Sequence, residues 1–269
     1  MTVPQQPDYR ALLTRSLLAV ERLEEKLAAV ERSKSEPIAV VGMACRFPGG
    51  ANDLATFWSL LSSGKDAVTV VPKDRWDADA CFDPDPDTVG KSYTRWGGFI
   101  DQVSDFDAAF FGISPREVVS LDPQQRLLLE VTWEALENAC IAPSTLGGSN
   151  ASVFVGISTG DYALLLGERE GGTRVGDAYT ASGISHSIAT GRLSYFLGLH
   201  GPNFAVDTAC SSSLVAIHNA ITSLRNGETN LALAGGVNLT LSDHGAILTS
   251  RARMMSFDGR CKTFDASAD

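Results

Sequence analysis

The sequence predicts a layered α/β domain with a mostly parallel sheet, preceded by one amphipathic helix. Three observations carry that expectation. From Ile38 onward, apolar runs suited to strands alternate with segments of helical period. The 269 residues are 44% hydrophobic and 20% charged, an ordinary globular composition that excludes wholesale disorder. Charge then divides the chain: residues 1–35 hold six basic and five acidic side chains, or +1, leaving −11 of the total −10 on residues 36–269.

The first segment has no Pro between Pro7 and Pro37 and is rich in the helix formers Leu, Ala, Glu, Arg and Lys. A heptad places Leu13, Val20 and Leu27 at a, and Ser16, Leu23 and Val30 at d, with Lys26 at g and Glu31 at the following e. Three heptads are marginal alone, because helix nucleation is costly. The segment is therefore expected to form an intermolecular coiled coil; the other reading is a helix packed on its own domain.

In the body, Ile38–Met43 reads as a buried strand. Asn52 is placed to cap a helix presenting Leu54, Phe57, Trp58 and Leu61, with Gly64 to end it. Residues 66–104 read as a long connection. Ser114-Pro115-Arg116-Glu117 is a capping box with Pro at the first helical position. Asp122-Pro123 repeats the device and opens the body's longest helix, to about Cys140, with Leu127, Leu128, Val131, Ala135 and Leu136 inward. Ala151–Ile157 is a strand, Ser185–Leu197 a helix, Asn203–Val206 a short strand, Ser211–Asn226 a helix closed by Gly227, and Leu231–Leu239 a strand interrupted by Gly235-Gly236. The chain is expected to stop inside a domain, because Cys261–Asp269 has no linker character.

Several function classes recede. A net charge of −10 makes a general phosphate-backbone binder improbable. The apolar runs, Ala163–Leu166 among them, are far short of the roughly 20 residues of a bilayer span, and the N-terminus lacks the basic and apolar regions of a signal peptide. The five cysteines (Cys45, Cys81, Cys140, Cys210 and Cys261) are scattered, with no CxxC pair, so neither a disulfide framework nor a zinc site is expected. A cytoplasmic chain with reduced thiols follows. No phosphate loop or dinucleotide fingerprint is present. Asp83, Asp85 and Asp87 alternate like a calcium loop, but Thr88 stands where the turn Gly belongs, so a solvated turn is expected. The four histidines (His186, His200, His218, His244) show no ligand spacing and are read as structural.

Two nucleophile candidates remain. Gly156-Ile157-Ser158-Thr159-Gly160 matches GxSxG after a strand, the exposed elbow of a serine hydrolase, and Asp207 with His218 or His244 follows in suitable order. The other reading is a strand end with a Gly-rich turn. In Asp207-Thr208-Ala209-Cys210-Ser211-Ser212-Ser213-Leu214, Cys210 falls where a strand hands over to a helix. Free amides and the positive end of the helix dipole favour a thiolate there and an oxyanion beside it. Small flanking residues leave room for a substrate, and Leu214, Ile217, Ile221 and Leu224 are expected to anchor the helix in the core. Spacing alone leaves open an inert cysteine in a strand–helix turn.

These residues carry a resemblance. Asp207–Leu214 resembles the active-site signature of β-ketoacyl synthases, in the form typical of modular polyketide synthases. Residues 37–50 look like the opening of that domain, and 106–116, 121–130, 231–237 and 258–262 are similar to further family segments. The resemblance implies a thiolase-like layered αβαβα fold, here its N-terminal half over 36–269, and a dimer. It implies that Cys210 accepts an acyl chain from an acyl carrier protein, and that a malonyl-type extender then condenses with it. No cofactor is implied in this domain itself, the substrates riding on the carrier's phosphopantetheine. Residues 1–35 look like a docking helix (Leu13, Val20, Leu23, Leu27, Val30) for the preceding synthase polypeptide. The family's two catalytic histidine motifs do not occur, so residues 1–269 alone are expected not to condense.

Overall fold

The computed structural model describes residues 9–169 and 176–268, without the side chains of residues 11, 29, 30 and 32–34. The N-terminal helix α1 runs Tyr9–Ser35. Leu13, Val20, Leu23 and Leu27 are all at least half exposed on it, so these residues are not packed on the body. Val30, at the last d position, has its side chain outside the described residues.

The body begins differently from the sequence reading. Ile38–Met43 enters no strand, and Val40, Val41 and Met43 are more than half exposed. The segment runs past the end of a later helix instead. The Met43 amide donates to Asn138 Oδ1 (3.0 Å), and Gly42 lies so close to Ala135 and Ala139 that no side chain would fit. Composition suits a strand here, but among the described residues no backbone ladder pairs with it.

Helix α2 (Leu54–Ser63) is capped by Asp53, not Asn52: Asp53 Oδ1 accepts the Thr56 amide at 2.7 Å, and Gly64 closes the helix with φ +65°. None of its residues is buried, and Trp58 and Leu61 face outward. The expected long connection is in fact structured. Within it, β1 (Val68–Val70) pairs antiparallel with β2 (Trp96–Gly98), flanking the short α3 (Ala78–Cys81). Asp83 and Asp85 each accept a backbone amide two residues on, and Asp87 pairs with Arg253.

The short helix α4 (Pro115–Val118) starts on Ser114, as expected, and α5 (Pro123–Asn138) on Asp122. Gln124, Gln125, Leu128, Leu129 and Leu136 are buried on α5, whereas Leu127, Val131 and Ala135 are only partly so. After a 3₁₀ turn come β3 (Ser152–Gly156), α6 (Asp161–Arg169), α7 (Thr180–Ile184), α8 (His186–Leu197), β4 (Asn203–Val206), α9 (Ser212–Arg225), β5 (Ala232–Gly236) and α10 (His244–Arg251). Of these, α6, α7 and α10 lie outside the elements that the sequence predicts.

The three later strands form one parallel sheet in the order β4-β3-β5. Every residue of β3 is buried, as a central parallel strand requires. Its side chains alternate between two cores. Val153, Val155 and Ile157 join Leu128, Leu129 and Leu136 of α5 and Leu193 and Leu197 of α8, while Phe154 joins Val206 and the α9 residues Ala216 and Ala220. The section is therefore helix, sheet, helix.

The buried side of α9 corrects the sequence reading. Ser212, Ala216, Ala220 and Ser223 face the sheet, whereas Leu214 is 70% exposed and Ile217 43%. Small residues are inside because the helix lies very close to the strands. An added Cβ on Gly156 would stand 2.7 Å from the Ser212–Ser213 backbone, and one on Gly236 would stand 2.9 Å from Ser213 Cβ. Those two strand glycines bring the start of α9 against the ends of β3 and β5.

Candidate active site

All three parallel strands end on one edge, the edge at which open α/β sheets place their ligands. The loops leaving β3 and β5 are knitted together there. Gln124 Nε2 donates to the Thr159 carbonyl (3.0 Å), and Gln124 Oε1 accepts from the Thr159 hydroxyl (3.1 Å) and the Leu239 amide (3.3 Å). Asp161 Oδ2 accepts the amides of Leu241 (2.9 Å) and Ser242 (3.0 Å). Beneath Gln124, the Asp122 carboxyl is pushed above the usual carboxylate range by its burial, although it accepts the Gln124 amide.

Cys210 lies in the connection that leaves β4 at the same edge. β4 ends at Val206, a 3₁₀ turn spans Ala209–Ser211, and α9 starts at Ser212. The thiol is exposed at the tip of a helix whose far side is fixed to the sheet. Ala209, just before it, has φ +54°, a left-handed conformation that costs a non-glycine residue about 1–3 kcal/mol. The neighbouring polar groups are tied down. Asp207 Oδ1 accepts the Ala209 amide at 3.1 Å, and Ser211 Oγ lies 2.9 Å from the Thr208 carbonyl. Ser212 Oγ accepts the Thr208 amide at 2.9 Å and donates to the Ala209 carbonyl at 2.7 Å. The Ala209 amide, followed by the Ser158 hydroxyl, lowers the pKa of the Asp207 carboxyl.

The other sequence candidates fall into place around it. Ser158 Oγ lies 3.4 Å from Ser212 Oγ, so the GxSxG segment buttresses the Cys210 turn. Among the described residues, no histidine hydrogen-bonds to Ser158. His186 Nε2 donates to the Thr159 carbonyl at 3.1 Å, since a carbonyl can only accept; His200, His218 and His244 are exposed. Cys45 and Cys81 are buried, and burial pushes both thiols up, the setting of inert cysteines. A cavity of about 270 Å³ lies under β1 and β2, walled by Trp76, Trp96, Phe99, Thr159 and Asp161, and Cys210 does not line it.

The sequence reading treats Ser212 as mere space beside the nucleophile and overlooks Gly156 and Gly236 as the contacts that seat it. A hydroxyl just after a strand–helix turn is the available signal for Ser212, because Ser side chains compete for local backbone partners.

A parallel sheet whose helix tip presents an exposed cysteine from a strained, hydrogen-bonded turn has the geometry that covalent catalysis in α/β enzymes requires. Comparison with known proteins makes the assignment specific. The family model described as β-ketoacyl synthase, N-terminal domain, matches residues 35–269, and the chain belongs to that family. It is 51% identical over 263 residues to one subunit of the phenolphthiocerol/phthiocerol polyketide synthase of Mycobacterium tuberculosis, covering 98% of this chain and 14% of that protein. It is 53% identical over 235 residues to another subunit of the same synthase, covering 87% and 15%. The chain thus spans about one seventh of the length of these relatives. Among solved structures, a Streptomyces albus oxazolomycin ketosynthase domain is 40% identical with a TM-score of 0.79, covering 85% of this chain and 39% of that one. The module 6 ketosynthase of the Bacillus subtilis bacillaene synthase is 36% identical with a TM-score of 0.72, covering 84% and 36%. The fold is the thiolase-like α/β fold of ketosynthases, and the helix–sheet–helix section is its N-terminal half.

Proposed function

We propose that this chain is the N-terminal part of a chain-extending ketosynthase of a modular polyketide synthase, and that Cys210 is its acyl acceptor. One observation carries the reading: an exposed cysteine is held at the start of α9 by a turn that Asp207 and Ser212 brace through its backbone. The Cys210 thiolate attacks the thioester carbonyl of an acyl chain carried on the phosphopantetheine of an acyl carrier protein. The tetrahedral oxyanion collects the amide dipoles at the helix start. It collapses with loss of the pantetheine thiolate, which takes up a proton, and leaves a Cys210 thioester. A malonyl-type extender on a carrier protein then loses carbon dioxide. Its carbanion attacks that thioester, a carbon–carbon bond forms, and the Cys210 thiolate departs from the β-ketoacyl product.

The condensation half needs groups beyond those described. The family's histidine motifs are missing from the sequence, and His186 is engaged with the Thr159 carbonyl. We therefore expect residues 1–269 alone not to condense. The exposed Leu214 and Ile217 face of α9 agrees with a further layer covering it in the complete domain. No cofactor is assigned to the domain; homodimerisation, a cytoplasmic setting and an upstream polypeptide docked on α1 belong to the same proposal. Among the described residues no helix is long and apolar enough to cross a membrane.

The test is intact-protein and peptide mass spectrometry of the complete polypeptide during turnover, with Cys210→Ala and Ser158→Ala beside it. The acyl mass is expected on the Cys210 peptide and lost only in Cys210→Ala. Acylation abolished by Ser158→Ala with Cys210→Ala still active would establish a serine hydrolase instead. Indifference to both variants would leave an interaction module without catalysis.

A further inference from the structure

We propose that Ser212 is a positioning residue for the nucleophile: its hydroxyl clamps the Thr208–Ala209 backbone in the left-handed turn that projects Cys210. The proposal rests on the reading of Cys210 as the acyl acceptor. The two atoms that the hydroxyl joins, the Thr208 amide nitrogen (2.9 Å) and the Ala209 carbonyl oxygen (2.7 Å), bracket the turn's backbone torsions. Those between them include ψ of Thr208 and both φ and ψ of Ala209. None of these can rotate far without breaking one of the two bonds.

The turn needs such a restraint. Ala209 holds φ +54° although it carries a Cβ, a conformation that only glycine and, less often, Asn or Asp visit readily. Asp207 secures the Ala209 amide from one side, but its carboxylate is on the exposed surface. Ser212 connects the turn to the rigid interior. Its residue is 6% exposed, and its backbone lies against Gly156 at the end of fully buried β3. Ser158 Oγ, 3.4 Å away, lies against the same hydroxyl from the loop after β3. The hydroxyl's bonds are to the turn's backbone and to the Ser158 hydroxyl, not to the thiol, so its effect on chemistry is geometric: it holds Sγ where an incoming thioester meets it.

Single-turnover acylation of Cys210 by an acyl N-acetylcysteamine thioester, followed by peptide-mapped mass spectrometry in the complete synthase polypeptide, tests this. Ser212→Ala is expected to lower the maximal acylation rate on the order of a hundredfold while the half-saturating thioester concentration moves less than about threefold. Adding Ala209→Gly to Ser212→Ala is expected to restore roughly tenfold of that loss, because glycine adopts positive φ without a clamp. Should Ser212→Ala lose its native circular dichroism, Ser212→Cys keeps the side chain's shape with a weaker donor and acceptor, and an intermediate loss is expected. An acylation rate in a folded Ser212 variant equal to that of the unsubstituted protein overturns the clamp, and so does a loss that Ala209→Gly does not relieve. Cys210→Ala is run alongside. Acyl mass persisting there overturns the reading of Cys210, whereas its disappearance with an unslowed Ser212→Ala overturns the clamp alone.

Discussion

Gly156→Ala isolates the contact that seats the nucleophile. Placed with ideal geometry on the backbone, the new Cβ stands 2.7 Å from both Ser212 C and Ser213 N, against the 3.4 Å at which ordinary contact begins. Both neighbours are backbone, so no side chain can swing aside, and the first turn of α9 must retreat by about 0.7 Å. Overpacking of this kind costs about 1–3 kcal/mol. For a domain of this size that lowers the melting temperature by roughly 2–4 °C per kcal/mol. The catalytic cost is expected to be larger than the thermal one, because the displaced turn carries Cys210, and a misplacement near 1 Å costs on the order of a hundredfold in rate. Acylation of Cys210 by a thioester, with thermal melting measured in parallel, reads both. Gly160→Ala is the control: it sits in the same GxSxG segment, and its Cβ would meet nothing within 4 Å. Equal acylation rates in the two variants would refute the reasoning. So would a rate in Gly156→Ala matching that of the unsubstituted protein.

Further outcomes follow from the same structure. Arg192 donates to Glu117 Oε1 (2.7 Å) and Gln125 Oε1 (3.1 Å), with 14% and 20% of the Arg192 and Glu117 side chains exposed; Arg192→Met is expected to cost about 2–3 kcal/mol in urea denaturation, somewhat below a fully buried pair. Pairing it with Glu117→Gln is expected to recover part of that loss. The Asp258 carboxyl, held at about 2 by the Ser256 hydroxyl, the Arg260 amide and Lys262, contributes stability above its unfolded value near 3.9 and loses it as pH falls through 2. The melting temperatures of Asp258→Asn and the unsubstituted protein are therefore expected to differ at pH 6 and converge toward pH 2. Leu23→Asp or Leu27→Asp on α1 is expected to weaken acyl transfer from an upstream carrier protein without slowing acylation by a free thioester; unchanged transfer in a reconstituted pair of synthase polypeptides would contradict it.

What the sequence reveals and what it hides have physical causes. β3, β4, α8 and α9 are legible within a residue or two, because each carries its own period and its own stop, such as Gly198 or Gly227 in the left-handed region. Ile38–Met43 misleads because a strand is a relation between segments, and composition does not show whether a partner lies beside it. The α9 stripe has the right period on the wrong side. Large Leu214 and Ile217 suggest the core, yet a close helix–sheet approach selects Ala216 and Ala220. Cys210 is legible from its motif. The strain at Ala209 is not, because alanine is an unusual occupant of positive φ. The hydroxyl of Ser212 likewise shows its partners only once the turn is drawn.

The row of slender residues beneath α9 has a practical corollary. A rod resting on methyl groups has no slack, so bulk slipped under one end tips the other. Ala220 lies ten residues, roughly 15 Å of helical rise, beyond Cys210, yet a valine introduced there or at Ala216 is expected to re-aim the thiol without touching it. Mutational screens for altered chain preference would then surface at these hidden footings as readily as at the mouth of the site.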